Sequence, residues 1–236
     1  MIELENISFS YSDKKVLDDF SLTIKKGEIT CLLGSSGCGK TTILRLIAGL
    51  EKPDKGSVSI DKKTLSKNGD NIVPPHKRDV GFIFQDLALW PHFTVYKNIA
   101  FGLQQHKAPG IKDKVFGMLD HFGISDLSEK YPHQLSGGQK QLVAISRSLV
   151  LEPKVLLMDE PLSNLDVQLK KKILEHVRNL KSAFNITIVY VTHDHREAFA
   201  IADNVVVLNN GIIEAAGSID EIKRSDKEYL KNFLEY

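Results

Sequence analysis

The chain has 236 residues, 42% apolar and 26% charged, ordinary proportions for one or two globular domains able to bury a core without metal or disulfide staples. Its 31 Lys and Arg balance 30 Asp and Glu, and the net charge of +1 supplies no global attraction to nucleic acid or anionic lipid. Apolar runs fall far short of the ~20 residues of a membrane helix, the start lacks a signal-peptide pattern, and Cys31 and Cys38 make no disulfide framework, which excludes membrane channels, secreted mini-domains, collagen-like and disordered chains and points to a reducing compartment.

In chain order, Ile2–Phe9, Val16–Ile24 and Gly56–Ile60 read as antiparallel strands, with polar turns at Ser12-Asp13-Lys14 and Lys25-Lys26-Gly27. The apolar strand Ile29–Leu33 runs into Gly34-Ser35-Ser36-Gly37-Cys38-Gly39-Lys40-Thr41, and a helix follows over Thr42–Gly49. That is the spacing G-x-x-x-x-G-K-[ST]. Its glycines let backbone N–H groups turn inward onto phosphate oxygens, and the helix N-terminus adds its positive end. Lys40 is expected to reach the β- and γ-phosphates of a nucleotide, and Thr41 to place its hydroxyl on Mg²⁺. The plainer alternative is a Gly-rich turn, against which the strand before and the helix after both argue. Cys38 is either a small spacer or a reactive thiol facing the phosphates, whose alkylation would block nucleotide binding.

Val80–Phe84 reads as a further strand ending in Gln85, whose amide either ligates Mg²⁺ or caps a turn. Trp90 to Leu151 is helical and strand-poor, an inserted subdomain with an apolar stripe at Val115, Met118, Leu119 and Phe122. Within it, Leu135-Ser136-Gly137-Gly138-Gln139 opens a helix carrying Leu142, Ile145 and Leu149 on one face. This is a second helix N-terminus suited to phosphate, or an ordinary capping box of Ser136 with Gln139. The strand Val155–Met158 delivers two adjacent carboxylates, Asp159 and Glu160, costly to bury without a cation. Asp159 would hold Mg²⁺ through its water shell and Glu160 would polarise a water, unless Asp-Glu-Pro is a turn in solvent. A helix with Ile173, Val177, Leu180 and Phe184 precedes the strand Ile186–Val191. His193 follows it, a γ-phosphate contact or an ordinary surface or core histidine. Val205–Leu208 is the last strand, and Asp220–Tyr236 reads as a terminal helix. Strands rich in Val and Ile without strict alternation, separated by helices, imply an α/β fold around a mostly parallel sheet.

Taken together and in this order, the motifs resemble the ATPase subunit of ABC transporters across essentially the whole chain. Gly34–Thr41 looks like Walker A, Val155–Glu160 like Walker B, Leu135–Gln139 like the family signature, and Ser163-Asn164-Leu165-Asp166 like the D-loop. Gln85 looks like the Q-loop residue, His193 the switch histidine, and Tyr11 the aromatic that stacks on adenine, with Val16 over the ribose. The resemblance implies a P-loop NTPase (RecA-like) core with an N-terminal antiparallel β subdomain and an inserted α-helical subdomain. The core would be residues 1–85 and 152–236, and the helical signature subdomain 86–151. It implies ATP and Mg²⁺ as cofactors, with Thr41, Gln85 and Asp159 at the metal and Glu160 and His193 in catalysis. Two copies would associate head to tail, the second copy's Ser136, Gly137, Gly138 and Gln139 closing over ATP bound at Gly34–Thr42. Separate transmembrane permease subunits would grip the segment after Gln85, and the chain would sit peripherally on the cytoplasmic face of the cell membrane.

Leu89–Val95, Asn98–Gly102 and Glu160–Asp166 further resemble importer subunits for iron(III), polyamines, sulfate, thiamine or sugars, which implies a solute-binding protein as well. Many of those subunits carry a C-terminal regulatory domain not present in this sequence. They often have Arg where this chain has Leu142, which implies a changed surface contact. An exporter subunit is the alternative, since the motif chemistry is the same in either direction. Soluble relatives in DNA repair or translation fit less well, because the interval from Lys40 to Ser136 is compact, lacks heptads, and occurs once.

Overall fold

The computed structural model describes residues 1–163 and 165–224. Two sheets lie among them. The smaller is antiparallel, with strand order β2-β1-β4-β5-β6, built from β1 (Ile2–Tyr11), β2 (Lys14–Ile24), β4 (Lys55–Ile60), β5 (Lys63–Lys67) and β6 (Asp70–Asn71). Along β1 the buried apolar positions are Ile2 and Leu4, then Ile7 and Phe9, a slip of one residue in the alternation. A β-bulge absorbs it. Asn6 takes φ 50°, its register with β2 shifts between Leu4 and Ile7, and its side chain donates to Asp19 Oδ1 at 2.8 Å.

The larger sheet has the order β11-β10-β3-β9-β8-β7, from β3 (Ile29–Gly34), β7 (Val80–Ile83), β8 (Val155–Asp159), β9 (Thr187–Thr192), β10 (Asn204–Asn209) and β11 (Ile212–Gly217). All of its neighbours pair in parallel except the β10–β11 hairpin. Its central strands alternate between two cores rather than between core and water. Cys31, Leu33, Leu156, Met158, Ile188 and Tyr190 face the helical side. Leu32, Leu157, Val189, Val191, Val206 and Leu208 face the antiparallel sheet and the helix α1 (Lys40–Ala48). Two apolar faces explain why these strands read as continuous Val/Ile runs.

On the helical side lie α2 (Val95–Gln105), α3 (Ile111–His121), α4 (Gly137–Leu149), α5 (Val167–Phe184) and α6 (His195–Ile201). Each expected helix is present, and the strand bounds move by one or two residues. The tail helix is seen as α7 (Ile219–Lys223), capped by Ser218; residues 225–236 of that expectation lie outside the described residues.

Arg78 is the buried post that joins the two sheets' connection to α1. Its guanidinium donates to Leu46 O and Ile47 O at 3.0 Å, capping the C-terminal end of α1, and to Val73 O, Leu65 O, Ser66 Oγ and Asn71 Oδ1. No carboxylate is among those partners, and burial pulls its pKa down to about 10, so it remains a cation at neutral pH. Helix carbonyls supply the counter-charge. The ammonium of Lys cannot reproduce a planar fork with this many acceptors. Arg78→Lys is therefore expected to lower unfolding free energy by about 2–4 kcal/mol in urea titration. An unchanged midpoint would mean that water replaces the lost donors.

Candidate nucleotide site

The carboxyl ends of all five parallel strands meet at one edge of the sheet, the place where open α/β sheets bind ligands. β3 ends at Gly34, β8 at Asp159 before Glu160, and β9 at Thr192 before His193, while β7 leads to Gln85 and β10 to Asn210. A cleft of about 460 Å³ opens there, within the range of small-ligand pockets. Ser36, Gly37, Gly39, Lys40, Thr41 and Thr42 form its loop side. Tyr11, Val16, Gln85 and Glu160 also line it, as the sequence leads one to expect. Lys14, Lys15 and Asn210 line it too and were not anticipated, although Asn209-Asn210-Gly211 at the end of a parallel strand is a legible turn.

The loop's conformation depends on glycine at two points. A Cβ on Gly34 would stand 2.3 Å from Leu208 O, and Gly39 holds φ 107° where α1 begins. Lys40 is buried, with its Nζ donating to Gly34 O and Ser35 O at 2.8 Å, so the ammonium is fixed in the mouth of the loop. Gly34, Ser35 and Cys38 do not line the cleft. For Cys38 this separates the two readings. Its side chain is buried in the core beneath α1, with Sγ 3.7 Å from Lys40 Nζ, because the tight turn has room for a small apolar group on its inner side. It is the spacer, not a thiol facing phosphate.

Thr41 Oγ1 donates to Asp159 Oδ1 at 2.9 Å, which brings the two oxygen donors proposed for a cation together. With Gln85 on the same cleft this is an all-oxygen set, suited to a Mg²⁺ ion that keeps several waters and takes its other ligands from phosphates. Among the described residues no three His, Cys, Asp or Glu side chains cluster as a dedicated metal cage, which the same ion does not need. Burial pushes the Asp159 carboxyl above the usual carboxylate range, the Thr41 hydrogen bond partly offsets it, and the Glu160 charge adds to the rise.

Glu160 sits at φ 42°, a left-handed conformation costing about 1 kcal/mol for a non-glycine residue. Its N–H donates to Val191 O at 3.1 Å, so the turn after β8 is tied to β9. Glu160 Oε2 lies 3.1 Å from His193 Nδ1, and the imidazole is largely exposed. His193 is held from below by a network with no motif to announce it. Buried Glu197 accepts from Tyr190 OH and Thr192 Oγ1 at 2.9 Å and from Lys170 Nζ at 2.7 Å. Thr192 Oγ1 in turn accepts from Asp194 N–H at 3.0 Å, fixing the turn that carries His193. Burial, and then the Glu197 charge, push the Tyr190 hydroxyl pKa well up, so it stays a donor.

The Leu135–Gln139 segment does not line this cleft. Ser136 caps α4 in a reciprocal box, accepting from Gln139 N–H at 3.3 Å while Gln139 Oε1 accepts from Ser136 N–H at 2.9 Å. Ser136 and Gly137 are exposed, and Gly138 leaves room for Leu169, whose nearest atom would be 2.7 Å from a Cβ there. Asn164, within the expected D-loop, lies outside the described residues; Asp166 caps α5 through Gln168 N–H and Leu169 N–H.

Among known families, the pattern described as ABC transporter matches residues 17–163. The chain belongs to the ABC transporter family. It is 43% identical over 236 residues to the Fe(3+) ions import ATP-binding protein FbpC of Photobacterium profundum, covering 99% of this chain and 66% of that protein. It is 44% identical over 224 residues to the spermidine/putrescine import ATP-binding protein PotA of Haemophilus influenzae, covering 94% of this chain and 59% of that one. The ABC chain thus spans just under two thirds, or less, of these curated relatives' length. A solved dimeric ATP-binding cassette in a post-hydrolysis state bound to ADP and Pi is 30% identical, with a TM-score of 0.80, covering 93% of this chain and 99% of that one. The fold is therefore that of an ABC cassette, a P-loop NTPase.

The raised Asp159 pKa carries a sign. The fold favours the protonated acid, so above its folded-state pKa the carboxylate costs stability, and the cost vanishes as pH falls through the ordinary carboxylate range. Asp159→Asn is expected to raise the thermal midpoint of the nucleotide-free chain at pH 7 and to lose that advantage towards pH 4. A lowered midpoint at pH 7 would show that the charged form is the better packed one.

Proposed function

We propose that this chain is the ATP-binding and ATP-hydrolysing subunit of a membrane transporter, and that it drives import through separate transmembrane subunits. The observation that carries the reading is the meeting of Lys40, Thr41, Asp159, Glu160 and His193 at one sheet edge. The loop around Lys40 binds the β- and γ-phosphates, Tyr11 offers a π-face to adenine, and Val16 covers the ribose. Thr41, Asp159 and Gln85 would hold Mg²⁺, which when bound neutralises charge on the phosphate oxygens. Glu160 orients and polarises the attacking water as general base. His193, anchored through Thr192 and Glu197, contacts the γ-phosphate and keeps Glu160 aimed.

Ser136, Gly137, Gly138 and Gln139 complete the site from a second copy of the chain, head to tail. The exposure of Ser136 and Gly137 and the absence of the whole segment from the cleft of its own chain support this, as does the dimeric ADP- and Pi-bound relative. A homodimer is favoured because every motif is intact in one sequence. The nucleotide-binding core would be residues 1–85 and 152–236, of which 164 and 225–236 lie outside the described residues, and residues 86–151 the part that moves on closure.

A groove of about 700 Å³ lined by Phe82, Phe84, Trp90 and Phe101 is the docking place for a helical segment of a permease. Among the described residues no helix is long and apolar enough to cross a membrane. Attachment would be peripheral, at the cytoplasmic face, through a permease seated in that groove. The relatives' names favour import over export and therefore a solute-binding protein as a further partner. They differ in solute, iron in one and polyamines in the other, at nearly equal identity. Specificity for solute then belongs to the permease and binding protein. The charge balance supports no role for nucleic acid.

Phosphate release by the purified chain tests the assignment. Glu160→Gln is expected to cut turnover about 10²–10⁴-fold with ATP affinity retained, whereas Lys40→Ala loses the affinity itself. Full turnover by Glu160→Gln would remove Glu160 from the chemistry.

A further inference from the structure

The segment joining the nucleotide cleft to the aromatic groove is short and strained. β7 stops at Ile83, Gln85 lines the cleft, and Trp90 lines the groove. Between them Leu87 and Ala88 take φ 62° and 44°, two consecutive left-handed residues, neither of them glycine. Each such residue costs conformational energy and persists only where its surroundings over-determine it. The Trp90 end is firmly held: Trp90 N–H donates to Asn98 Oδ1, and buried Asn98 donates back to Trp90 O, Phe93 O and Thr94 O.

One side chain grips the strained pair. Arg147, on the last turns of α4, donates from Nη2 to Leu87 O at 2.7 Å and from Nη1 to Ala88 O at 2.6 Å. Both are short, charge-assisted bonds from a planar fork to two successive carbonyls. The same guanidinium stands 5.0 Å from the centre of the Trp90 ring, which packs on Phe101 at 4.6 Å. Burial lowers the Arg147 pKa and the Asp86 charge opposes that fall. Arg147 shares its helix with Ser136, about 16 Å away along the axis.

We propose that Arg147 is a positioning residue: it holds the loop after Gln85 in its left-handed shape and carries changes in that loop, when nucleotide binds at the cleft, to Trp90 in the groove. This rests on the reading of the cleft as an ATP site. A rigid fork bonded to both strained carbonyls and stacked on the groove's indole moves as one body with them. Lys in its place has the charge but neither the second parallel bond nor the flat stacking face.

Trp90 is the chain's only tryptophan, so its emission reports the contact directly. The experiment titrates Mg-ATP into the full chain, with binding read independently by equilibrium dialysis. The unsubstituted chain is expected to change its emission on saturation, and Arg147→Lys to bind Mg-ATP with the same affinity but lose most of that change. Retention of the full response by Arg147→Lys overturns the inference. Binding without any response in the unsubstituted chain also overturns it and leaves the ATP site standing. No binding of Mg-ATP at all overturns the reading of the cleft, and the inference with it. Should Arg147→Lys fail to fold, hydrogen exchange across residues 85–90 of the unsubstituted chain decides: protection altered by Mg-ATP supports the clamp, and unaltered protection overturns it.

Discussion

A parallel strand with apolar side chains on both faces has to be covered on both faces. In this chain the antiparallel sheet and α1 cover one side and the remaining helices the other. Once the five strands run the same way, their following loops open at one edge and cannot do otherwise. The phosphate loop, both acids, Gln85 and His193 are neighbours because of that constraint, although they are scattered from residue 34 to residue 193. Chemistry at the edge is thus a consequence of burial at the centre.

Several of the polar groups that the fold buries act on that edge. Arg78 caps the far end of the helix whose near end is the phosphate loop. Glu197 joins α5, α6 and β9 beneath His193, with Lys170 as its counter-charge. Asp159, its pKa raised by burial, accepts from Thr41 Oγ1 and is the carboxylate proposed to meet a cation. Buried polar groups of this kind are costly when half satisfied; Arg78 and Glu197 have several partners each, whereas Gln141 Nε2 and Ser146 Oγ on α4 are buried without one.

Much of this was legible in the sequence, for physical reasons. Gly34–Thr41 stands out because few residue types permit that loop, and Val155–Glu160 because two acids rarely end an apolar strand. The short β5, with Leu65 and Ser66 buried between flanking lysines, gave no periodic signal, and β11 was hidden behind Glu214 and alternating small residues. Cys38 was ambiguous because motif spacing says nothing about which way a side chain turns. Arg78, Arg147 and Glu197 were invisible as site-builders, since a charged residue that will be buried looks like any other until its partners from distant strands and helices are in place.

The central claim is that the cleft and the Ser136 helix N-terminus, separate on one chain, form one site between two. The most direct test is the solution mass of Glu160→Gln by light scattering, with and without Mg-ATP. The substitution removes the carboxylate proposed as general base while leaving the phosphate loop and the α4 cap intact. Doubling of the mass only when Mg-ATP is present is the expected result. A mass that stays monomeric while bound ATP is demonstrated would contradict the head-to-tail arrangement, and would leave the exposed N-terminus of α4 as a helix cap and no more.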